Sequence, residues 1–588
     1  MVIPLVNMKK RILILLLFLF SVSYSQTARF VSKSGTSIAP YLSWEAACDS
    51  IRPVIEIADD GDTIYIGAGE YIDTLDIYKN LTIIGNGIDE TMIHSDRKRN
   101  ETINLYADLS ISNLSIASNE DFPSNNLSKG ITLFTNNALR INNCLFKIIS
   151  DGILKKNGKI IVENSFFMIT LGDGITFIDN NPAIWDTIKG CVFYTEGDYG
   201  ISALKILGNN VYFENNIVLN GFRYGIKSDL SLSIVLKNNI ISAANIGASI
   251  IFNEESVKII NNIFHNGINS LSSGIYISSS GSSEVTNNVI AKFNRPIILR
   301  NQSEYNIDYN CFYSNNELLN DTMQVGQHNS FENPMFLKFP DGSIQPEVSE
   351  LELQLFSPCI DSGDPAIKDV DGSRSDMGAL GGPCGYEYSY QDLPPSVPTD
   401  LESELTNDSL TTITWSGNDE SDFAGYNLYI GDDENFNADD GHLYSSIGTN
   451  HFEINSEIVN QKYIKVRAYD LNGNSSKASE ALYTTVTRMG HINPSTFTNK
   501  LLPAFPNPFN PETKIRFSLN AESHATLKVF DIRGELVHKE QEKLYPAGGH
   551  EVSLNLSNFA SGIYIVTLQV EQGGKPIFID SKKITLLK

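Results

Sequence analysis

Cysteine, histidine and tryptophan are scarce in this chain, with six, nine and three copies among 588 residues. So few cysteines over such a length exclude a disulfide scaffold, and neither they nor the histidines fall into CxxC or HExxH spacing, which argues against a structural zinc site. Cys359 and Cys384 share a short Gly/Pro-rich stretch, where a mutual disulfide and two unpaired thiols both fit. Positive charge is also in short supply. With 44 Lys+Arg against 69 Asp+Glu the net charge is −25, which argues against nucleic acid as a partner. No apolar run approaches the ~20 residues of a transmembrane helix, and no GxSxG serine-hydrolase elbow occurs.

What is present is strand- and turn-forming material: 41% hydrophobic residues, with 42 Gly, 25 Tyr and 30 Phe. At the amino terminus Lys9, Lys10 and Arg11 precede nine apolar residues, 12–20, and then Ser23, Tyr24 and Ser25. A charged flank, a short apolar run and a small-residue exit describe a signal peptide, expected to span residues 1–25 and to be removed before Gln26.

From about residue 109 to 316 one phrase recurs: INNCLF at Ile141, VENSFF at Val162, IKGCVF at Ile188, FENNIV at Phe213, LKNNII at Leu236, IINNIF at Ile259, VTNNVI at Val285 and DYNCFY at Asp308. The last Asn of each copy, or Gly190 in its place, advances by 21 to 26 residues, one supersecondary unit per step. Gly-Ile pairs at Gly130, Gly152, Gly174, Gly200, Gly225 and Gly274 form a second register. Short β-branched runs broken by Asn and Gly favour stacked coils over a leucine-rich repeat. Asn tolerates left-handed turns and can bond its neighbours, so one Asn per coil predicts a structural ladder. Upstream, residues 44–58 have helix-compatible apolar spacing interrupted by Pro53 and are expected to cap the open end near Trp44.

On these features residues 29 to about 380 resemble the right-handed parallel β-helix family of pectin-lyase-like folds. The closing phrase, residues 357–382, is similar to the end of many such helices. Its Asp361, Asp364, Asp369, Asp371 and Asp376 can be read as Asx-capped turns or as hard oxygen ligands for Ca²⁺, without EF-hand spacing.

Pro394, Pro395 and Pro398 mark a linker, after which TTITWSG, GYNLYIGDD and KYIKVRAYD alternate as strands. This segment resembles a fibronectin type III module, with Trp415 inward on the second strand and Tyr463 and Tyr469 on a later one, core packing being favoured over sugar stacking for these rings. The last 87 residues carry Asn507-Pro508-Phe509-Asn510-Pro511, an Asp531 to Gly534 turn, Gly562-Ile563-Tyr564 and a basic end at Lys582 and Lys583. In that order these motifs resemble the type A C-terminal sorting domain of the type IX secretion system. The resemblance implies export across the outer membrane by that machinery, to the cell surface or medium.

The expected organisation is therefore all-β: signal peptide 1–25, a right-handed parallel β-helix with its capping helix over 26–388, a sandwich over 389–490 and the sorting domain over 491–588, its own sandwich starting near 502. β-helices host lyases, hydrolases, adhesins and inert stalks, so activity must be argued from a site. The Gly-His-Gly segment of polygalacturonase-type hydrolases is absent, and His265 sits in a repeat turn without an evident partner. The position before each Gly gives Lys129, Asp151, Asp173, Tyr199 and Tyr224 on successive coils, with Asp198 and Arg223 beside it. At about 4.8 Å between coils these side chains would form a column able to hold an extended sugar, with Asp151 and Asp173 as further calcium candidates, or simply a solvated rim of turns. Two functions follow: a surface or extracellular β-helix that is glycan-binding or structural, and, as the alternative, a carbohydrate-active enzyme, a polysaccharide lyase before a glycoside hydrolase. A lyase needs a cation against the uronate carboxylate and a base for the proton beside it, and no complete catalytic set is legible.

Overall fold

The computed structural model describes residues 26–587 apart from 96–99, 119–127, 180, 182, 196–199, 220, 231, 243–244, 252–254, 266–271, 301–303, 318–322, 339–347, 408, 486–497, 508 and 573–574. The expected signal peptide, Asp198 and Tyr199 lie outside the described residues. The repeats form a parallel β-helix. Every strand pairs in parallel with its counterpart one coil away, building a 21-stranded sheet that bends into two faces and a ten-stranded sheet that makes the third. Inward residues of all three faces share one core, so no coil is stable without its neighbours.

The Asn signal resolves into two adjacent columns where the sequence suggests one. The bend between the first two faces is a single residue at positive φ: Asn143 at 51°, Asn164 at 48°, Gly190 at 63°, Asn215 at 54°, Asn238 at 52°, Asn261 at 53° and Asn287 at 59°. These are residue types that tolerate left-handed backbone. The following residue points inward, and from Asn216 onward it is Asn again. The Nδ2 of Asn216 donates to Asn239 at 3.1 Å, Asn239 to Asn262 at 2.9 Å, Asn262 to Asn288 at 2.9 Å, Asn288 to Asn310 at 2.9 Å and Asn310 to Asn329 at 3.1 Å. Counting the last Asn of each copy therefore mixes corner residues early in the chain with ladder residues later on. In the ladder Asn262 Oδ1 also accepts the backbone N–H of Asn239 at 2.9 Å. Asn262→Ala strands that buried donor, and we expect the solenoid's unfolding transition to lose about 2–3 kcal/mol, measured by denaturant titration. A loss within experimental error would contradict a load-sharing ladder.

The amino-terminal cap is the helix Arg52–Ile57, with Pro53 in its first turn, where the missing N–H costs nothing. Pro53 thus opens the helix instead of interrupting it, and the segment around Trp44 consists of turns. Ile51, Val54, Ile55 and Ala58 close the core. At the other end the closing phrase runs back over the outside of the last coils. Its Met377 and Ala379 pack with Ile240, Ile263 and Val289, and the corner Asn side chains hold it. Asn238 Nδ2 donates to the carbonyls of Ala379 and Gly381, Asn261 Nδ2 to those of Asp376 and Gly378, and Asn287 Oδ1 accepts from Asp364 N–H at 2.7 Å. All six cysteines are free; Cys359 lies against Cys311, so the Cys359–Cys384 pairing is not formed.

Two antiparallel sandwiches follow. In the first, sheets of three and four strands enclose Trp415, Tyr426, Leu428 and Val466. Trp415 is inward as expected, whereas Tyr463 and Tyr469 alternate with the buried Ile464, Val466 and Ala468 of their strand and face outward, Tyr463 against Tyr483. The second has sheets of three and five strands around Phe517, Val529, Val566 and Leu568. Asn507 clips its opening motif to the last strand, its Oδ1 accepting from Thr585 N–H at 2.6 Å, while Phe509 is buried.

Candidate functional site

Six strands of the ten-stranded sheet carry a Gly at or near their start, Gly130, Gly152, Gly174, Gly225, Gly247 and Gly274; a Cβ there would meet the next coil's carbonyl oxygen at 2.4 Å for Gly130, 2.6 Å for Gly152 and 2.5 Å for Gly174, and the core Phe146, Phe167 or Phe193 besides. The residue before that Gly stands at the sheet's margin. The register of Ile131, Ile153 and Ile175 places Lys129, Asp151 and Asp173 on consecutive rungs, as expected. The fourth rung differs. Asp173 pairs with Ser202, Ser202 with Tyr224, and Ala203 takes the place of the Gly, so Gly200-Ile201 is three residues out of step and Ser202 holds the fourth position of the column.

Asp173 is only 3% exposed. It accepts from Ser202 Oγ and, at 3.4 Å, from Thr176 Oγ1, and Lys205 Nζ stands 3.8 Å from it. Asp151 Oδ1 accepts the Asp173 N–H at 3.3 Å. Burial pushes the Asp151 carboxyl up and the neighbouring Asp173 adds to this, against the opposing pull of the Asp173 N–H, Lys129 and Lys205. On the next coil Lys227 is in register with Lys205, and the ring of Tyr224 has Arg223 at 5.5 Å and Lys227 at 5.6 Å from its centroid. The site therefore joins a carboxylate pair to a row of cations with an aromatic ring between them. Ser202, Lys205 and Lys227 are its members that the Gly-Ile register misses; aligning Ala203-Leu204 with Gly-Ile would have found them.

Four of the five acids of the closing phrase use their carboxylates to hold turns, and the fifth, Asp361, takes part through its backbone N–H. Asp376 Oδ1 accepts from Asp361 N–H and its Oδ2 from Tyr390 Oη, Asp369 accepts from the N–H groups of Asp376 and Gly382, Asp364 from Ala366 N–H and Asp371 from Ser373 N–H. Burial lifts the Asp376 carboxyl to about 6. These bonds fasten turns onto the solenoid, and among the described residues no three of these acids converge as metal ligands. His265 is fully buried, and burial pushes its pKa down to about 3, which suits a neutral core ring better than a proton carrier.

Residues 503–579 match the family described as the secretion system C-terminal sorting domain. No curated protein matches the chain. Among solved structures, dimeric latent PorU from Porphyromonas gingivalis is 14% identical over 33% of this chain and 20% of its own, with a TM-score of 0.16, so the match spans a fifth of that protein. Pectin methylesterase PemA from Erwinia chrysanthemi is 11% identical over 53% of this chain and 94% of its own at a TM-score of 0.26, and the chicken CNTN1 FN1–FN3 domains are 12% identical over 34% and 70% at 0.14. None of these likenesses bears on the chemistry of the column. The sorting domain marks a protein exported by the type IX system to the cell surface or extracellular space.

Proposed function

We propose that this exported β-helix protein binds an acidic polysaccharide along the face from Lys129 to Lys227. The observation that carries the reading is the alignment of Lys205 with Lys227 on adjacent coils, beside Tyr224 and Arg223, on a chain of net charge −25. Cations at coil spacing meet the carboxylates of a uronate chain, and a tyrosine ring packs on a sugar face. Lys205 and Lys227 are about 30% exposed side chains, Lys205 standing 3.8 Å from the buried Asp173 and Lys227 3.5 Å from the half-buried Asp229. Lys205→Ala with Lys227→Ala should weaken binding to pectate, alginate or a glycosaminoglycan by about tenfold or more, read by glycan array and calorimetry, while Lys227→Ala alone should weaken binding and leave the thermal midpoint close to wild type. Undiminished binding by the double variant would return these residues to a solvated rim.

A second reading, a carbohydrate-active enzyme and a lyase before a hydrolase, is favoured by the lifted Asp151 carboxyl, since a base poised nearer neutrality abstracts a proton better than an ordinary carboxylate. Ultraviolet absorbance of 4,5-unsaturated uronates, with and without CaCl2, separates the two. Absorbance growth lost in Asp151→Asn supports the enzyme; binding without turnover supports the first reading.

A further inference from the structure

Three carboxylates from distant parts of the chain converge where the solenoid hands over to the first sandwich. Asp392 lies in the connecting segment, Asp422 immediately before the strand Phe423–Gly431, and Asp470 ends the strand Lys462–Asp470, which pairs with it. One oxygen from each lies within 4.8 Å of the others. Among the described residues no Lys, Arg or His forms an ion pair with any of them.

Two of the three are not saturated by the protein. Asp422 is 3% exposed, and among the described residues its carboxylate accepts a hydrogen bond only from its own backbone N–H. Asp392 Oδ1 is buried without a partner, while its Oδ2 accepts from Asn472 Nδ2 at 2.8 Å and Asn474 Nδ2 at 3.0 Å. Asp470 is held from behind, its Oδ1 accepting from the N–H groups of Asn472 and Asn474. Buried, unpaired and mutually repelling carboxylates are costly as anions, and a hard cation removes that cost. Burial lifts the Asp422 carboxyl, and Asp470, Asp392 and Glu420 push the same way. The adjoining loop is also where the sandwich meets the solenoid: Asn333 Nδ2 donates to Asp419 at 2.8 Å, and Ser421 Oγ donates to the Phe356 carbonyl.

We propose that Asp392, Asp422 and Asp470 bind a calcium ion that fixes the first sandwich to the segment leaving the solenoid. Oxygen-only ligands select a hard cation, and three carboxylates from three separate segments suit calcium better than magnesium, which demands near-ideal octahedral geometry. Extracellular modules typically bind calcium at about 10⁻⁴–10⁻³ M, and the exported chain meets the ion in that range. Occupancy joins Asp392 to two strands of the sandwich, so the connecting segment becomes rigid.

The test uses the mature chain and three variants, with CaCl2 or MgCl2 at about 5 mM. Asp422→Asn removes the charge while its amide oxygen can still accept from the residue's own backbone N–H, and so should fold at least as well as wild type in the absence of the ion. Asp369→Asn and Asp151→Asn control for the other acidic stretches. We expect calorimetry to show calcium binding in wild type, Asp369→Asn and Asp151→Asn with a matching component lost in Asp422→Asn, and proteolysis between residues 389 and 398 to slow about tenfold with calcium only where that component is present. No calcium binding by wild type, binding equal in wild type and Asp422→Asn, or an equal effect of magnesium would each overturn the assignment. Glycan binding is read separately, so its failure leaves this result standing.

Discussion

Removing residues 498–588 is expected to leave the protein in the periplasm, with cell-surface and medium fractions emptied of it. The deleted part has its own core of Phe517, Leu527, Val529, Val566, Leu568 and Val570; it meets the preceding sandwich through an edge-on ring contact of Phe505 with His451 and through ion pairs of Lys500 with Glu402 at 2.7 Å and Arg516 with Glu404 at 3.2 Å. Surface ion pairs of this kind each contribute about 0–1 kcal/mol, so the remaining chain should fold and the deletion should report on export alone. Fractionation with immunoblotting, alongside a melting curve of the truncated protein, measures both. Normal amounts outside the cell would refute the assignment of 503–579 as the sorting signal.

The second large effect lies inside the solenoid. Lys155 occupies an inward position in the row of Leu133 and Phe177 and is fully buried. Its Nζ stands 2.6 Å from Asp186 and 3.1 Å from Asp179, and Asp186 also accepts from Ile160 N–H at 2.8 Å. Lys155→Ala leaves two buried carboxylates without their cation, and we expect a loss of about 3–5 kcal/mol, enough to unfold the coils around it. Burial lifts the Asp186 carboxyl to about 6 despite Lys155. A folded value above the unfolded one means that this group's contribution falls as pH rises from about 4 to about 6 and stays low above that. The variant's deficit should accordingly be larger at pH 7.5 than at pH 5, read from denaturant midpoints. A loss below about 1 kcal/mol, or a deficit that grows on acidification, would contradict the buried triad.

The solenoid is legible because two backbone needs recur in most coils: a residue that tolerates positive φ at the corner, hence Asn143 or Gly190, and a residue without Cβ beneath the next coil, hence Gly130 and Gly152. Wherever a residue obeys such a need, spacing reveals it. Asn215 and Asn216 blurred the reading because one residue type serves both the corner and the internal ladder. Gly200-Ile201 departs from the register because Thr195 pairs with Ile169 while Ser202, not Tyr199, pairs with Asp173, and spacing alone does not reveal Ser202 and Lys205. The Lys155 triad and the Asp392, Asp422 and Asp470 group have no local signature, their members being brought together only by stacking and by strand pairing. In the Asp-rich closing phrase the density of acids is visible in the sequence and their direction is not: the carboxylates of Asp364, Asp369, Asp371 and Asp376 turn toward backbone N–H groups of the phrase itself.

The return of the closing phrase over three coils has a mechanical consequence. A pull on the carboxyl-terminal side of the molecule does not peel away the last coil. It enters the solenoid sideways, through the rivets at Asn238, Asn261 and Asn287, which are spaced along the axis and must slip together. Hydrogen bonds loaded in parallel share the force, whereas bonds at a frayed end break one after another. The solenoid is thereby anchored against shear at the end from which the sorting domain draws it outward.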